Sequence, residues 1–375
     1  VNGERPVRVL IVDDSALMRK VLADLLGSGV GIEVVGTARD ADEAVRLVQA
    51  LAPDVVTLDV EMPGTSGVDA IPRILAVSPV PIVMVSTHTR EGAEVTLACL
   101  ERGAVDFLPK PERNQLSQLQ AARDVLVEKV RMAARCRVRR PSGPFEPVSF
   151  APRSSLAPPR VAARADASVG PARAIAAGAE DRPIASCVAI GISTGGPQTL
   201  TRVFAALRPP IPPILVVQHM PAQFTGALAA RLDRLCAVSV AEAENGEKIT
   251  PDRILIAHGD RHLAVVGRPR QARVSLRDEP PVSGHRPSVD VLFESVARVF
   301  GPQAVAVIMT GMGRDGVEGC KLVRAAGGLA LGQDEASSTI YGMNKAAFEE
   351  RAVSSQFHVD ELPAIIRKLE TDRKG

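Results

Sequence analysis

Three residues far apart in the chain have the types that acyl-transfer chemistry needs. Ser193 lies in Gly191-Ile192-Ser193-Thr194-Gly195, His219 in Gln218-His219-Met220, and Asp315 in Gly311-Met312-Gly313-Arg314-Asp315-Gly316. A serine hydroxyl is a weak nucleophile until an imidazole takes its proton, and a carboxylate fixes the tautomer of that imidazole. The glycines around Ser193 and Met312 leave backbone N–H groups free to face a developing oxyanion. A second set, Asp13, Asp14, Asp59, Ser86 and Lys110, has the types that handle phosphate. Clustered carboxylates suit a hard cation such as Mg2+. One of them can accept a phosphoryl group as an acyl phosphate, with a lysine and a hydroxyl holding its oxygens.

Each residue also has a plainer reading. Glycine pairs beside serines are common in loops, and the G-x-S-x-G spacing of residues 191–195 means something only where a strand turns into a helix. His219 alone reads equally as an ordinary strand-end histidine, and Asp315, like any of the acids, as a helix N-cap. His258 and His262 have a spacing that a metal could use, but Gly259-Asp260 between them reads as a hairpin approach.

The elements that must position these groups decide between the readings. Residues 7–14 form an apolar run ending in two acids, followed by a helical pattern over 16–26. A strand over 33–38, a helix over 42–51 and a strand over 54–58 follow, the last ending at Asp59. Strands over 80–85 and 105–108 end at Ser86 and just before Pro109-Lys110-Pro111, and a helix covers 116–134. Further on, a strand from 187 runs into the Ser193 turn and a helix over 198–207. A strand over 214–217 ends beside His219, and a helix covers 224–236. Strands over 238–241 and 253–257 precede a hairpin pairing 262–266 with 273–277. A helix over 289–300, a strand over 304–310 that runs into residues 311–316, a helix over 317–326 and a strand over 329–332 complete the pattern. Strands alternating with helices at this pitch predict α/β architecture with two doubly wound parallel sheets. Ligands of such sheets bind beyond the carboxyl ends of the strands, where all the residues above fall.

The expected organisation is a first domain over 1–134, a flexible tether over 135–183 rich in Arg, Ala, Pro, Ser and Gly, and a second domain over 184–371. The Arg135, Arg137, Arg139 and Arg140 cluster reads as solvated tether. A net charge of +2 and 3% aromatic residues with no Trp give no reason to expect nucleic acid as a partner. No segment approaches the roughly 20 apolar residues that cross a bilayer. Five scattered cysteines without a C-x-x-C pair suit reduced thiols, so the expected setting is cytoplasmic.

The first third resembles the receiver domains of two-component response regulators. Val12-Asp13-Asp14-Ser15, Leu58-Asp59-Val60-Glu61-Met62-Pro63, Met84-Val85-Ser86 and Leu108-Pro109-Lys110-Pro111 carry the likeness, with Met62-Pro63-Gly64 as the turn after the acceptor. It implies a flavodoxin-like fold in which Asp59 accepts phosphate from a histidine kinase. Asp14 and Asp59 would lie on Mg2+, assisted by Asp13, and Ser86 and Lys110 would sense the phosphate.

With residues 191–197, 218–220, 285–290 and 309–316, the whole chain apart from the tether resembles the chemotaxis protein-glutamate methylesterases. That likeness implies a Rossmann-like serine esterase domain with Ser193 as nucleophile, His219 as general base and acid, and Asp315 as orienting acid. Thr194 and Met312 would contribute at the oxyanion site, and no cofactor serves the ester reaction. The substrates implied are γ-methyl glutamate esters on methylated chemoreceptors, with deamidation of receptor glutamines as a further activity. The expected molecule is a monomer whose unphosphorylated receiver covers the Ser193 crevice. Ile192, His258 and Asn344 depart from the family pattern of alanine, proline and proline at those places. Rival readings are a phosphate- or nucleotide-binding output domain, which lacks a G-x-G-x-x-G with its following acid, and a DNA-binding one, which lacks a helix-turn-helix and a basic stripe.

Overall fold

A computed structural model describes residues 5–27, 31–62, 66–86, 90–110, 116–136 and 186–371. Most of the expected tether, including Arg137, Arg139 and Arg140, lies outside the described residues, as do His88, Pro63, Gly64 and Pro111.

The N-terminal unit runs β1 (Val7–Val12), α1 (Ala16–Gly27), β2 (Ile32–Ala38), α2 (Ala41–Leu51), β3 (Val55–Asp59), α3 (Gly67–Val77), β4 (Ile82–Ser86), α4 (Arg90–Glu101), β5 (Asp106–Pro109) and α5 (Leu116–Ala133). Its five strands are parallel in the order β2-β1-β3-β4-β5. All residues of β3 and β4 are buried, as helices on both faces of a parallel sheet require. The strand order reverses between β1 and β3, which opens a crevice beyond their carboxyl ends. Local signals fix the helices. Asp40 caps α2 by accepting Glu43 N–H, and Ser66 caps α3 by accepting Asp69 N–H.

The C-terminal unit runs β6 (Cys187–Ile192), α6 (Gly196–Ala205), β7 (Ile214–Gln218), α7 (Ala222–Leu235), β8 (Ser239–Glu242), β9 (Arg253–Ile256), β10 (His262–Val266), β11 (Arg273–Arg277), α8 (Val289–Phe300), β12 (Ala304–Ile308), α9 (Val317–Ala325), β13 (Leu329–Gln333), α10 (Met343–Glu349), β14 (Ser355–Phe357) and α11 (Leu362–Thr371). Seven parallel strands lie in the order β14-β13-β12-β6-β7-β9-β8, and β10 and β11 form a separate antiparallel hairpin. The central strand β6 is buried along its whole length. Chain order reverses between β6 and β12, so this sheet too has its crevice beside its first strand.

Both sheets match the α/β architecture expected. The sequence pattern leaves α3, α4, α10, α11 and β14 unassigned. Pro72 inside α3 reads as a breaker in one dimension, yet the helix continues through it.

The two units pack together through α4, β5 and α5 of the first and α6 and α7 of the second. Phe107 on β5 meets Phe224 on α7 with ring centroids 4.3 Å apart. Gln198 on α6 donates from one amide nitrogen to the carbonyls of Leu100 and Ala104, the latter at 2.7 Å. Arg231 on α7 pairs with Glu101.

Gly191 shows how tightly the sheet is covered. A Cβ there would stand 2.2 Å from Cγ1 of Val289. Gly191→Ala should therefore destabilise the C-terminal unit by about 1–3 kcal/mol, the usual cost of overpacking. The check is urea denaturation, with an unchanged midpoint counting against this packing.

Candidate active site

Ser193 follows the last residue of β6. Its amide donates to Thr310 O at 2.9 Å and its carbonyl accepts Gly196 N–H at 2.8 Å, closing a tight turn that starts α6. Gly195 supplies the φ of 79° that the turn needs, a conformation open to glycine. The serine side chain is partly exposed. This is the strand–turn–helix setting that gives the G-x-S-x-G spacing its meaning.

His219 follows β7, the neighbouring strand, and its amide donates to Ile192 O at 3.1 Å. Its ring Nε2 lies 2.9 Å from Oδ2 of Asp315, and its Nδ1 is buried without a hydrogen-bond partner. A carboxylate acceptor at Nε2 places the proton there and leaves a lone pair at Nδ1.

Asp315 reaches this place from the loop after β12. It does not cap its own helix, α9, whose cap is Gly316. It takes the N-terminus of α8 instead: Val289 N–H donates to Oδ2 at 2.8 Å, Asp290 N–H to Oδ1 at 3.0 Å, and Ser288 Oγ to Oδ1 at 2.7 Å. Burial alone would raise its pKa, but His219 and the α8 amides outweigh it and hold the carboxyl below its ordinary value. Asp290 next to it is pushed up to about 6, by burial and then by the Asp315 charge, against the Gly319 amide.

Two histidines with no role assigned from sequence complete this shell. His285 stacks on His219 with centroids 3.9 Å apart and an interplanar angle of 7°. Burial and the neighbouring imidazole lower its pKa to about 4. His262 is buried, accepts Ser288 N–H at Nδ1 (3.1 Å) and meets Pro280 O through Nε2 (3.0 Å). Both of its nitrogens are occupied and His258 faces the Gly259 carbonyl, so the pair does not form a metal site. The 285–290 motif stood in the sequence, but only the fold shows that it wraps Asp315.

Thr194 directly follows Ser193, and Met312 stands in the loop after β12. The Thr194 hydroxyl points away to Asp106 of β5, donating to Oδ2 at 2.8 Å. Its amide, like that of Met312, has no acceptor among the described residues. Met312 is 37% exposed at the mouth of the crevice. A cavity of about 530 Å³ lies there, bounded by His219, His285 and Met312 on one side and by Lys129 and Met132 of α5 on the other. Of the departures from the family pattern, Ile192 is buried in the core. Asn344 donates to Gln333 O at 2.7 Å and to Ser338 Oγ at 2.8 Å, pinning the loop beside Met312.

The acidic set gathers at the other crevice. Ligand atoms of Asp13, Asp14 and Asp59 all lie within 4.8 Å of one another. Lys110 Nζ is 2.7 Å from Asp59 Oδ2 and 3.5 Å from Asp13 Oδ2, a buried oxygen that accepts no hydrogen bond. Burial raises Asp59 to about 6 although Lys110 opposes it, and burial also raises Asp13. An orphaned buried carboxylate oxygen beside two further carboxylates fits a hard cation such as Mg2+. Ser86 stands at the end of β4 with its hydroxyl tied to α4, accepting from Thr96 Oγ1 at 2.6 Å.

The profile of the CheB methylesterase family matches residues 188–366, and that of the response regulator receiver domain matches residues 9–122. The chain is 45% identical over 369 residues to protein-glutamate methylesterase/protein-glutamine glutaminase 1 of Caulobacter vibrioides, covering 98% of this chain and 99% of that one. It is 42% identical over 364 residues to the second such protein of Koribacter versatilis, covering 96% of this chain and 95% of that one. It is similar as well to the CheB methylesterase catalytic domain of Thermotoga maritima, at 35% identity and a TM-score of 0.48, covering 50% of this chain and 98% of that one.

The depressed pKa of His285 makes a prediction with a definite sign. Between its folded value of about 4 and its ordinary value near 6.5, the unfolded chain binds the proton and the folded chain does not. This contribution to stability is fully present above pH 6.5 and is lost as pH falls toward 4. His285→Gln should therefore lose less stability than wild type on acidification through that window. Parallel unfolding curves at pH 7 and pH 5 check it, and equal losses would contradict it.

Proposed function

The chain belongs to the protein-glutamate methylesterase/protein-glutamine glutaminase family and carries the receiver domain of a response regulator; on that premise we propose that Ser193, His219 and Asp315 carry the esterase reaction. The enzyme is a chemotaxis methylesterase, hydrolysing glutamate γ-methyl esters to the carboxylate and methanol. The observation that carries the residue assignment is the His219–Asp315 contact at the switch point of the sheet, beside the Ser193 turn.

Asp315, held anionic by the α8 N-terminus, keeps the His219 proton on Nε2. Nδ1 is then the base that takes the Ser193 proton as Oγ attacks the ester carbonyl. The charge developing on the carbonyl oxygen is met by the amides of Thr194 and Met312. His219 returns the proton to the departing methanol. A water molecule then attacks the acyl-serine through the same base, giving the free glutamate and regenerating Ser193. An amide substrate would follow the same path with ammonia leaving, which is the glutaminase reaction.

The receiver, over residues 1–134, is the switch, the tether over 135–183 joins it to the catalytic domain over 184–371, and Asp59 accepts phosphate from a histidine kinase. Asp13, Asp14 and Asp59 would hold Mg2+, which supplies positive charge to the incoming phosphoryl oxygens. Lys110 leaves its carboxylate partners for a phosphoryl oxygen, and Ser86 leaves Thr96 for another. Since α4 packs on α7 and α5 walls the 530 Å³ cavity, a rearrangement at these residues reaches the interface that covers the crevice. Cover and crevice belong to one chain, which supports action as a monomer. Among the described residues no helix is long and apolar enough to cross a membrane. The substrate class, methylated chemoreceptors with cytoplasmic helices, supports a cytoplasmic site of action.

Methanol release from methylated receptor membranes, with and without acetyl phosphate, tests both parts. Ser193→Ala should lower turnover by about three orders of magnitude or more. Asp59→Asn should keep basal turnover and lose stimulation by the phosphodonor. Full activity of Ser193→Ala would remove the triad, and undiminished stimulation of Asp59→Asn would remove the acceptor assignment.

A further inference from the structure

Asp106 is a buried carboxylate that neither the phosphorylation site nor the triad uses. It opens β5, four residues before Lys110, and its Oδ1 accepts Phe107 N–H at 2.7 Å and Lys129 Nζ at 2.8 Å. Its Oδ2 accepts the hydroxyl of Thr194 at 2.8 Å, across the interface between the two units. Thr194 directly follows Ser193, is buried, and its amide has no acceptor among the described residues. A receiver carboxylate is thus one side chain away from an oxyanion donor.

We infer that Asp106 is a positioning residue for ester hydrolysis, through which the docked receiver slows the chemical step itself as well as covering the crevice. This rests on the esterase reading of Ser193. The hydrogen bond from Thr194 Oγ1 holds that residue to β5, so its amide takes the position the receiver dictates. β5 is the strand whose end carries Lys110, so a phosphoryl group that draws Lys110 away from Asp59 acts on the same strand that holds Thr194.

The inference separates from cover alone by kinetics. If the docked receiver only blocks entry, saturating substrate draws the chain into its open form, so docking raises KM and leaves kcat unchanged. If docking also holds the oxyanion side in a slow geometry, a small ester that reaches Ser193 binds and turns over slowly, so kcat falls.

The test measures p-nitrophenyl acetate hydrolysis by the full-length, unphosphorylated protein. Asp106→Asn removes the charge and keeps the shape, and Thr194→Val removes the hydroxyl and keeps the amide. Each should raise kcat about tenfold at unchanged KM, the scale on which one charge-assisted hydrogen bond moves an equilibrium. The two raising variants lie in different domains, so agreement between them excludes local misfolding as the cause. Unchanged kcat in both, or a fall in KM at unchanged kcat, overturns the inference. Wild type with acetyl phosphate and Ser193→Ala run alongside. Equal ester turnover in those two would remove the esterase reading, and Asp106 with it.

Discussion

A single buried carboxylate holds together the arrangement around His219. Asp315 is removed from water, which by itself would drive it toward the neutral form. Two amides from the first turn of α8, the Ser288 hydroxyl and the His219 ring outweigh that cost. Charge at a helix N-terminus is favoured because the first amides lack partners within the helix. In return the carboxylate caps α8, a service that the Ser288 side chain, turned toward Asp315, does not perform. Ser288 is placed in turn by His262. The His219 ring is therefore oriented, through Asp315, by a helix end, a serine and a second histidine, none of them close to it in sequence.

Parallel-sheet geometry explains why two unrelated chemistries are organised alike in one chain. In each unit the functional groups stand beyond the carboxyl ends of the strands, where chain order reverses and a crevice opens. Asp13 and Asp14 follow β1 and Asp59 ends β3. Ser193 follows β6 and Asp315 follows β12. What differs is the charge placed in the crevice. Clustered acids with one lysine suit a cation and a phosphoryl group, whereas a single acid, an imidazole and free amides suit an acyl oxyanion.

The interface joins these sites with ordinary materials: an aromatic pair, a glutamine bridging two carbonyls, an exposed ion pair and a buried hydroxyl–carboxylate bond. Interfaces of this mixed kind suit reversible docking, because a shift of a few kcal/mol changes which state dominates. Asp106 and Phe107 open the short strand β5 at the interface, and Lys110 directly follows its end, beside Asp59.

Strand-end chemistry was legible in the sequence because an apolar run that stops at a polar residue is a local signal. Ser193, His219, Asp315 and the acids of the first unit could be placed at strand ends without coordinates. So could both parallel sheets, from the alternation of strand and helix periods. Helices with an internal proline were not legible, because tertiary packing sustains α3 through Pro72. Local pattern also left the direction of side chains open. Nothing near Thr194 says that its hydroxyl leaves the reacting centre for Asp106, 88 residues away. Nothing near Asp315 says that it caps α8 and not the helix it precedes. These partners are set by which strands neighbour one another and how the two units dock, and a hydrogen bond between remote residues exists only once those neighbours are chosen.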